Sequence, residues 1–253
     1  MVAGRRSSWV ETERRRVLRE LRAERGPSGI ESLRSYLGSP VPVLGVSALD
    51  LRRVVRASAS RLEARSRAER QALARSLWEG SFFEEKMAAI ELLGRPPLVD
   101  DPLGWRLGAR WVDTATGWAL SDSLASGPLA TWVTARPERF GELLEWADSK
   151  NLWRRRASTY ALRGWVRTGE LDRPFALLAR LLNDPERWVQ RAVGTWLREC
   201  WKKDRARTER FLRQEARRLA PVTITVATER APKRFREELR RASRRRTVGR
   251  RGY

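Results

Sequence analysis

The chain has 253 residues, 41% of them hydrophobic, and carries 53 Lys and Arg against 31 Asp and Glu, a formal net charge of +22. Such an excess of positive charge favours a polyanionic partner and opposes self-association, so we expect a monomer. Histidine is absent and Cys200 is the only cysteine. These facts exclude a Ser-His-Asp or Cys-His catalytic site, a metal site rich in histidine or cysteine, and an intramolecular disulfide.

Chemistry in this chain must therefore rest on carboxylates, Arg, Lys, hydroxyls and aromatic rings, and we expect neither a metal nor a cofactor. Cys200 is interpreted as a buried thiol on a helix rather than a nucleophile. No segment approaches ~18 uninterrupted apolar residues, and the N-terminus lacks the apolar core of a signal peptide. The sequence predicts a protein that spans no membrane and is cytoplasmic or associated with the nucleoid.

Apolar residues recur at helical spacing along the chain, and alternating strand patterns are almost absent. The first amphipathic pair contains Val17–Leu21 and Leu33–Leu37, and the pattern continues at Leu73–Trp78 and Leu177–Leu182. Pro and Gly interrupt it at short intervals. Pro221–Val226 has the composition of a strand. Because a lone strand has no partner, we interpret this segment as a short helix or an extended linker.

Four aromatic residues, which we call the aromatic column, are each separated by 35 residues: Phe83, Trp118, Trp153 and Trp188. The positions four residues later hold Met87, Asp122, Ala157 and Ala192. A period of this length, with two helices per unit, is typical of an α-solenoid of HEAT-like repeats. The sequence therefore predicts an all-α protein, a single curved domain with a concave basic groove.

Three regions follow from this repeat. Residues 1–75 are predicted to be N-terminal helices that cap the solenoid, and residues 76–228 to be the HEAT-like core. Residues 229–253 contain eleven Lys or Arg and three acidic residues. We expect this region to be a basic C-terminal helix followed by a disordered tail, with the disorder beginning near Arg240.

Asp122 is a carboxylate at a repeat position that is otherwise apolar or small. Because it follows Trp118 by four residues, the two side chains project from one face of a helix. An aromatic face attracts cations and stacks on bases, and a carboxylate can stabilise an oxocarbenium-like sugar or orient a water molecule. The pair suits a planar, cationic ligand. Asp113, near Trp111, is a weaker rival because it lies outside the register.

The rest of the aromatic column has a structural interpretation. Large rings at one repeat position usually wedge between stacked helices, and we expect this of Phe83 and Trp188 more than of Trp118.

Basic residues are predicted to form a surface that binds a polyanion. The positions three residues after the aromatic column, which we call the basic column, hold Lys86, Ser121, Arg156 and Arg191. Arg154, Arg155 and Arg156 are consecutive, and Arg198 lies near Arg191. Stacked repeats would align such residues into a groove, and the planar guanidinium of Arg suits phosphate. For any single arginine the alternative is a solvated surface position.

The chain resembles the AlkD family of alkylpurine DNA glycosylases, which are built from HEAT-like repeats. The resemblance covers about residues 32–230. It rests on the order and spacing of five landmarks: Val43–Val46, Leu77–Glu79 followed by Met87–Leu93, Gly117–Asp122, Asn151–Ala157, and Trp188–Gly194 with Leu197–Glu199.

The resemblance implies roles for individual residues. Trp118 and Asp122 match the active-site Trp and Asp of the family. Tyr36, Arg156 and Arg198 match DNA-facing residues, and Arg156 is expected to contact the phosphate near the lesion. We add Arg154, Arg155 and Arg191 to the DNA-binding set from the basic surface described above.

One position departs from the family pattern. The family has a second active-site Trp directly after the residue that is Gly194 here, and this chain has Thr195. Trp196 follows, but one residue corresponds to about 100° around a helix, so it should face elsewhere.

The implied function is hydrolysis of the N-glycosidic bond of N3- or N7-alkylated purines in double-stranded DNA, including bulky adducts, by a monofunctional glycosylase of base excision repair. Alkylation makes the base cationic and hence a good leaving group, which is compatible with the missing histidine. Thr195 and the basic tail leave open an alternative function, that of a non-catalytic DNA-binding scaffold or lesion sensor. A HEAT scaffold for an acidic protein is a third alternative.

Overall fold

The structure is a computed structural model that describes residues 2–26, 30–38 and 40–248, with the backbone alone described for 2–8 and 245–248. Every regular element within these ranges is helical. The predicted all-α class is therefore confirmed. The chain divides into two compact units, residues 1–132 and 133–253.

The first unit contains α1 (Val2–Ala23), α2 (Ile30–Leu37), α3 (Ala48–Leu62), α4 (Arg67–Trp78), α5 (Phe83–Leu93), α6 (Pro102–Thr114), α7 (Trp118–Leu124) and a π-helical turn (Ala125–Leu129). The division between the units falls within α8 (Ala130–Thr134). The second unit contains α9 (Phe140–Ala147), α10 (Leu152–Tyr160), α11 (Arg163–Thr168), α12 (Asp172–Arg180), α13 (Arg187–Lys203), α14 (Arg205–Gln214), α15 (Pro221–Ala227) and α16 (Lys233–Val248).

Short polar side chains start several of these helices. Ser66 caps α4 in a capping box with Glu69, and Asn151 caps α10 by accepting the backbone N–H of Trp153. Asp101 caps α6 just before a proline at its first position. Each such cap satisfies backbone donors that the first helical turn leaves unpaired, and it is worth about 1 kcal/mol. Local sequence therefore fixes where these helices begin.

The aromatic column coincides with the helix starts. Phe83 and Trp118 are the first residues of α5 and α7, and Trp153 and Trp188 are the second residues of α10 and α13. The 35-residue period thus marks one helix start per repeat. The wedge interpretation holds for Phe83, which is buried, but is wrong for Trp188, which is 43% exposed.

Two further expectations concern the C-terminal quarter. Pro221–Ala227 is the short helix α15, as one of the two interpretations of this segment allowed. The disorder expected from Arg240 onward needs correction, because α16 continues to Val248. Its apolar residues Phe235 and Leu239 are buried, which supplies the packing energy that a solvated arginine-rich segment would lack. Residues 249–253 lie outside the described residues.

Each unit has its own apolar core. In the first, α4 packs on α5, and Trp78 stacks on Trp111 with ring centroids 4.8 Å apart. In the second, α13 packs against α10 and α15. Burying one Leu or Val side chain contributes roughly 1.5–3 kcal/mol. None of the described helices is both long and apolar enough to cross a bilayer.

A buried carboxylate fixes the loop between α2 and α3. Glu84, only 2% exposed at the start of α5, accepts the backbone N–H groups of Leu44 (2.9 Å), Gly45 (2.8 Å) and Val46 (3.3 Å). The N-terminus of a helix also favours a negative charge. The Val43–Val46 landmark is therefore a backbone cradle around one carboxylate, and it anchors the chain that follows α2.

We expect Glu84→Gln to lower the free energy of unfolding by about 2–3 kcal/mol, because charge-assisted bonds weaken and the amide places donors against a buried N–H. Urea denaturation measures the change. Glu91→Gln is the control on the same helix: Glu91 pairs with Arg52 at 3.5 Å on the surface, so its loss should cost less than about 1 kcal/mol. Equal losses in the two variants would contradict the cradle.

Candidate active site and nucleic-acid interface

Helix α7 carries the two residues that the sequence placed at the centre of the site. Trp118 is its first residue and Asp122 lies four positions on, so both project from one face. Asp122 is buried, at 7% exposure, while Trp118 is half-buried. An indole and a carboxylate thus share one face within the first unit, as expected from the i, i+4 spacing.

Tyr36 joins this pair from a distant part of the sequence. The indole Nε1–H of Trp118 donates to the main-chain carbonyl of Tyr36 at 2.9 Å. The two rings meet edge to face, with centroids 5.4 Å apart and planes at 85°. Tyr36 is 69% exposed, so its ring is accessible to a ligand. The structure therefore brings together Tyr36, Trp118 and Asp122.

Two glycines allow this approach. Gly38 follows α2 with φ +60°, and Gly117 precedes α7 with φ +86°. A Cβ on Gly117 would stand 2.1 Å from the carbonyl oxygen of Gly38, far inside contact distance. The end of α2 can therefore reach the start of α7 only because position 117 has no side chain.

The helix changes from α-helical to π-helical winding three residues after Asp122, at Ala125. The carbonyl of Asp122 accepts the hydroxyl of Ser126 at 2.7 Å, and the chain continues as the π-helical turn that contains Pro128. Such turns are rare and are often found at functional sites. This turn holds the backbone of Asp122 at the junction of two helical geometries.

The second unit places Arg156 differently from the sequence expectation. It is 5% exposed, and its guanidinium donates to the carbonyl of Trp188 and to the hydroxyl of Tyr160. The guanidinium carbon lies 5.8 Å from the Trp188 ring centroid and 5.1 Å from that of Tyr160. Arg156 therefore supports the start of α13 from within the unit.

Arg155, its neighbour, makes internal bonds with all its guanidinium nitrogens. Nε and Nη2 donate to the carboxylate of Asp184 at 2.6 and 3.2 Å, and Nη1 donates to the carbonyls of Ser149 and Lys150. Asp184 is buried. These contacts tie α10 to the loop before α13, and the DNA contact predicted for Arg155 would have to compete with them.

Arg154 and Arg198 are also engaged within the chain. The guanidinium of Arg154 lies 5.1 Å from the Trp146 ring centroid, and Arg198 forms ion pairs with Glu199 and Glu229. A DNA contact by Arg198 would have to compete with two carboxylates.

The basic column is not a surface stripe. Lys86 turns inward, where its ammonium donates to the carbonyl of Trp78 and burial lowers its pKa. Ser121 is fully buried, as Arg156 nearly is. Only Arg191 of the four is exposed. The expected alignment fails because the side chain three residues after the aromatic column is wholly or partly buried in three of the four repeats.

Trp188 is the residue that the sequence interpretation missed. It is the only exposed tryptophan among the described residues, and exposed Arg187 and Arg191 flank it on α13. Its ring leans on Trp153, with centroids 6.2 Å apart. The arginines next to Trp188 in the sequence could have indicated that this position is exposed.

Thr195 lies two helical turns beyond Trp188 on the same helix and is half-buried, with its hydroxyl donating to the carbonyl of Arg191. Trp196 is buried and meets Tyr160 edge to face. It faces the interior, as expected, and does not replace a tryptophan at position 195.

Cys200 is also buried, and burial raises the pKa of its thiol to about 12. The thiolate is negligible at neutral pH, so Cys200 is inert.

The first-unit site can bind a planar cation by ring contact and by ionic attraction to Asp122. Within the described residues no group of three His, Cys, Asp or Glu side chains is arranged to hold a metal ion.

We expect Gly117→Ala to lower the free energy of unfolding by more than about 2 kcal/mol, because a side chain must strain a positive φ and also displace the backbone of Gly38. Gly169→Ala is the matched control: Gly169 has φ +84°, but a Cβ there meets nothing within 4 Å. It should cost only about 1 kcal/mol. Urea denaturation compares the two, and indistinguishable losses would show that the close approach contributes nothing.

Comparison with known proteins agrees with these features. Residues 17–231 match the sequence profile of the family described as "DNA alkylation repair enzyme". Among curated proteins, none matches the sequence.

Solved structures share the fold. A "predicted DNA alkylation repair enzyme" from Enterococcus faecalis superposes with a TM-score of 0.71 at 15% identity, over 83% of this chain and 98% of that one. AlkD2 from Streptococcus mutans has a TM-score of 0.59 at 20% identity, over 70% and 88% of the two chains. With the profile matching most of its length, the chain belongs to the DNA alkylation repair enzyme family.

Proposed function

We propose that the chain is a monofunctional DNA glycosylase that hydrolyses the N-glycosidic bond of cationic N3- or N7-alkylated purines in duplex DNA. The observation that carries the proposal is the buried carboxylate of Asp122, one helical turn from the Trp118 indole that is bonded to Tyr36. A carboxylate beside an aromatic face attracts a planar cation by charge and by ring contact, and the alkylated nucleotide is such a cation.

The reaction needs little acid catalysis. The C1′–N bond breaks and the base leaves with the bonding electron pair, which neutralises its positive charge. Asp122 stabilises the positive charge that develops on the sugar and orients a water molecule toward C1′. Water forms the new C1′–O bond and releases one proton to the carboxylate or to solvent. No general acid is needed to protonate the leaving group, which is compatible with a chain that has no histidine.

The aromatic residues position the nucleotide. Trp118 packs against the deoxyribose or the base, held by its bond to the carbonyl of Tyr36, and the exposed ring of Tyr36 borders the same site. Binding of the cation by ring faces and a carboxylate selects charged lesions over neutral bases, because a neutral purine gains no ionic attraction. Selectivity and bond cleavage thus depend on the same carboxylate.

The exposure of the arginines favours a different set of phosphate contacts from the one predicted from the sequence. Arg187 and Arg191 are exposed on either side of Trp188, and we assign these two arginines to phosphate. Arg156, which the resemblance assigned to phosphate, instead holds Trp188 through its carbonyl and ring. Arg156 is thus proposed to act as a positioning residue in the unbound protein.

We expect Asp122→Asn to reduce base release by a factor on the order of 10² or more, since the amide cannot stabilise the sugar cation by charge. The assay is release of 7-methylguanine and 3-methyladenine from a duplex under single-turnover conditions. Asp113→Asn, which removes the exposed rival carboxylate on α6, should release base at the wild-type rate. No release by the wild type, or equal release by Asp122→Asn, would refute the glycosylase.

A non-catalytic lesion sensor is the second candidate function. It is favoured by Thr195, which is half-buried and stands where the AlkD family, which this chain resembles, has a tryptophan. A sensor would bind the alkylated duplex more tightly than an undamaged one, release no base, and gain release on Thr195→Trp.

Trp188→Ala should weaken binding of duplex DNA roughly tenfold, because one aromatic stack on a nucleotide is worth about 1–3 kcal/mol. The unfolding free energy should change little, since the ring is 43% exposed. Fluorescence anisotropy with a labelled duplex measures the affinity. Trp201→Ala, at the far end of α13 where the indole donates to Glu209, is the control. Equal weakening in both variants would argue against a DNA contact at Trp188.

A further inference from the structure

The C-terminal helix α16 lies beyond the part of the chain that matches the family, which ends at residue 231. Residues 232–253 contain ten Lys or Arg and two Glu, so they carry +8 of the net charge of +22. From Arg240 to the end there are seven arginines and no acidic residue. This charge is an addition to the family fold.

Specific contacts dock α16 on the second unit. Phe235 and Leu239 are buried, and the hydroxyl of Ser243 donates to the carbonyl of Leu219 at 3.0 Å. On the same helix, Arg236 donates to the hydroxyl and carbonyl of Thr228. The helix therefore presents its charges from a fixed position.

The two acidic residues of α16 are paired, and Arg234 and Arg241 are described arginines of this helix that are not. Glu238 binds Arg213 at 2.9 Å, and Glu237 lies 3.9 Å from Lys233. Arg234 and Arg241 are exposed and form no ion pair with any described residue. Seven residues, about two turns, separate them, so they lie on one flank of the helix. Glu237 and Glu238 lie between the two arginines on this flank, but each is already paired with another basic residue, so the flank keeps an excess of positive charge.

The accessible face of α16 suits a polyanion rather than a lipid surface. A helix that lies in a bilayer interface inserts an apolar face, and among the described side chains of this helix the large apolar ones, Phe235 and Leu239, are buried within the unit. Guanidinium groups on a rigid helix instead match a regular array of phosphates, and binding releases the counterions condensed on DNA. A helix of 16 residues is about 24 Å long, enough to follow several phosphates.

We propose that α16 is a second DNA-contact surface, which binds the phosphate backbone of duplex DNA regardless of sequence or damage. The proposal rests on the DNA-acting function given above and adds a surface outside the lesion site. Its effect is to hold the protein on undamaged DNA while lesions are sought, since backbone binding of this kind permits movement along the duplex.

The test is the salt dependence of binding to a short, undamaged, fluorescein-labelled duplex, measured by anisotropy between about 50 and 200 mM KCl. The variant is the full chain with Arg234→Gln and Arg241→Gln, which removes charge without touching the buried face. Each lost phosphate contact should lower the slope of log Kd against log salt concentration by about 0.9, or about 1.8 for the pair. The affinity should fall correspondingly.

The matched control is Arg106→Gln with Arg110→Gln on α6, another pair of exposed arginines. It removes the same net charge from a helix that carries no residue of the aromatic column. The proposal would be overturned if the salt-dependence slope changed equally in the α16 variant and the control, or changed in neither. It would also be overturned if affinity were lost only for RNA of the same length. A chain that released no base would still show the slope difference, so the two proposals fail separately.

Discussion

The close approach of Gly38 and Gly117 is the constraint on which the geometry of the candidate active site depends. Because the two backbones pass within a distance that admits no Cβ, the carbonyl of Tyr36 reaches the indole N–H of Trp118. A second anchor, the Glu84 carboxylate bound to three backbone N–H groups, fixes the chain that follows α2. The exposed ring of Tyr36 is thus held by contacts made mostly by main-chain atoms.

Asp122 shows how this framework places an anion. Its helix begins at the glycine contact and passes into the π-helical turn three residues after the carboxylate. The residue is therefore set between two features that restrict the backbone, and its burial keeps water from screening the charge. A carboxylate in such surroundings interacts strongly with a cation that reaches it. This physical property links the fold of the first unit to the activity proposed for it, which acts on an alkylated, positively charged base.

The arginines of the chain serve two different purposes. Arg155 and Arg156 are used within the second unit, where they bind carboxylate and carbonyl oxygens and lie against aromatic rings. Arg187, Arg191 and the flank of α16 remain exposed. Arginine suits both purposes because its stem packs against apolar side chains while its planar head donates several hydrogen bonds. A high net charge is therefore compatible with a stable interior, since part of it is neutralised inside.

Local patterns determined much of this protein. The helical class, the helix starts marked by the aromatic column, and the shared face of Trp118 and Asp122 all follow from spacing along the chain, because helical periodicity and capping act over a few residues. The absence of histidine from the sequence also restricts the candidate chemistry to carboxylates, Arg, Lys, hydroxyls and aromatic rings. A family resemblance suggested that Tyr36 would belong to the site, and spacing alone could not have done so across 82 residues.

Only the tertiary structure decided which side chains face outward. Lys86 and Arg156 belong to a column that the sequence interpretation aligned on the surface, yet both turn inward, whereas Trp188, expected to be buried, is exposed. Whether a long cationic side chain turns inward or stays exposed depends on whether a carbonyl, carboxylate or ring from elsewhere in the sequence lies within reach. Such partners come from other helices. The sequence by itself thus determined the helices and the charge of this protein; packing between helices decided which of its arginines and tryptophans remain available to a ligand.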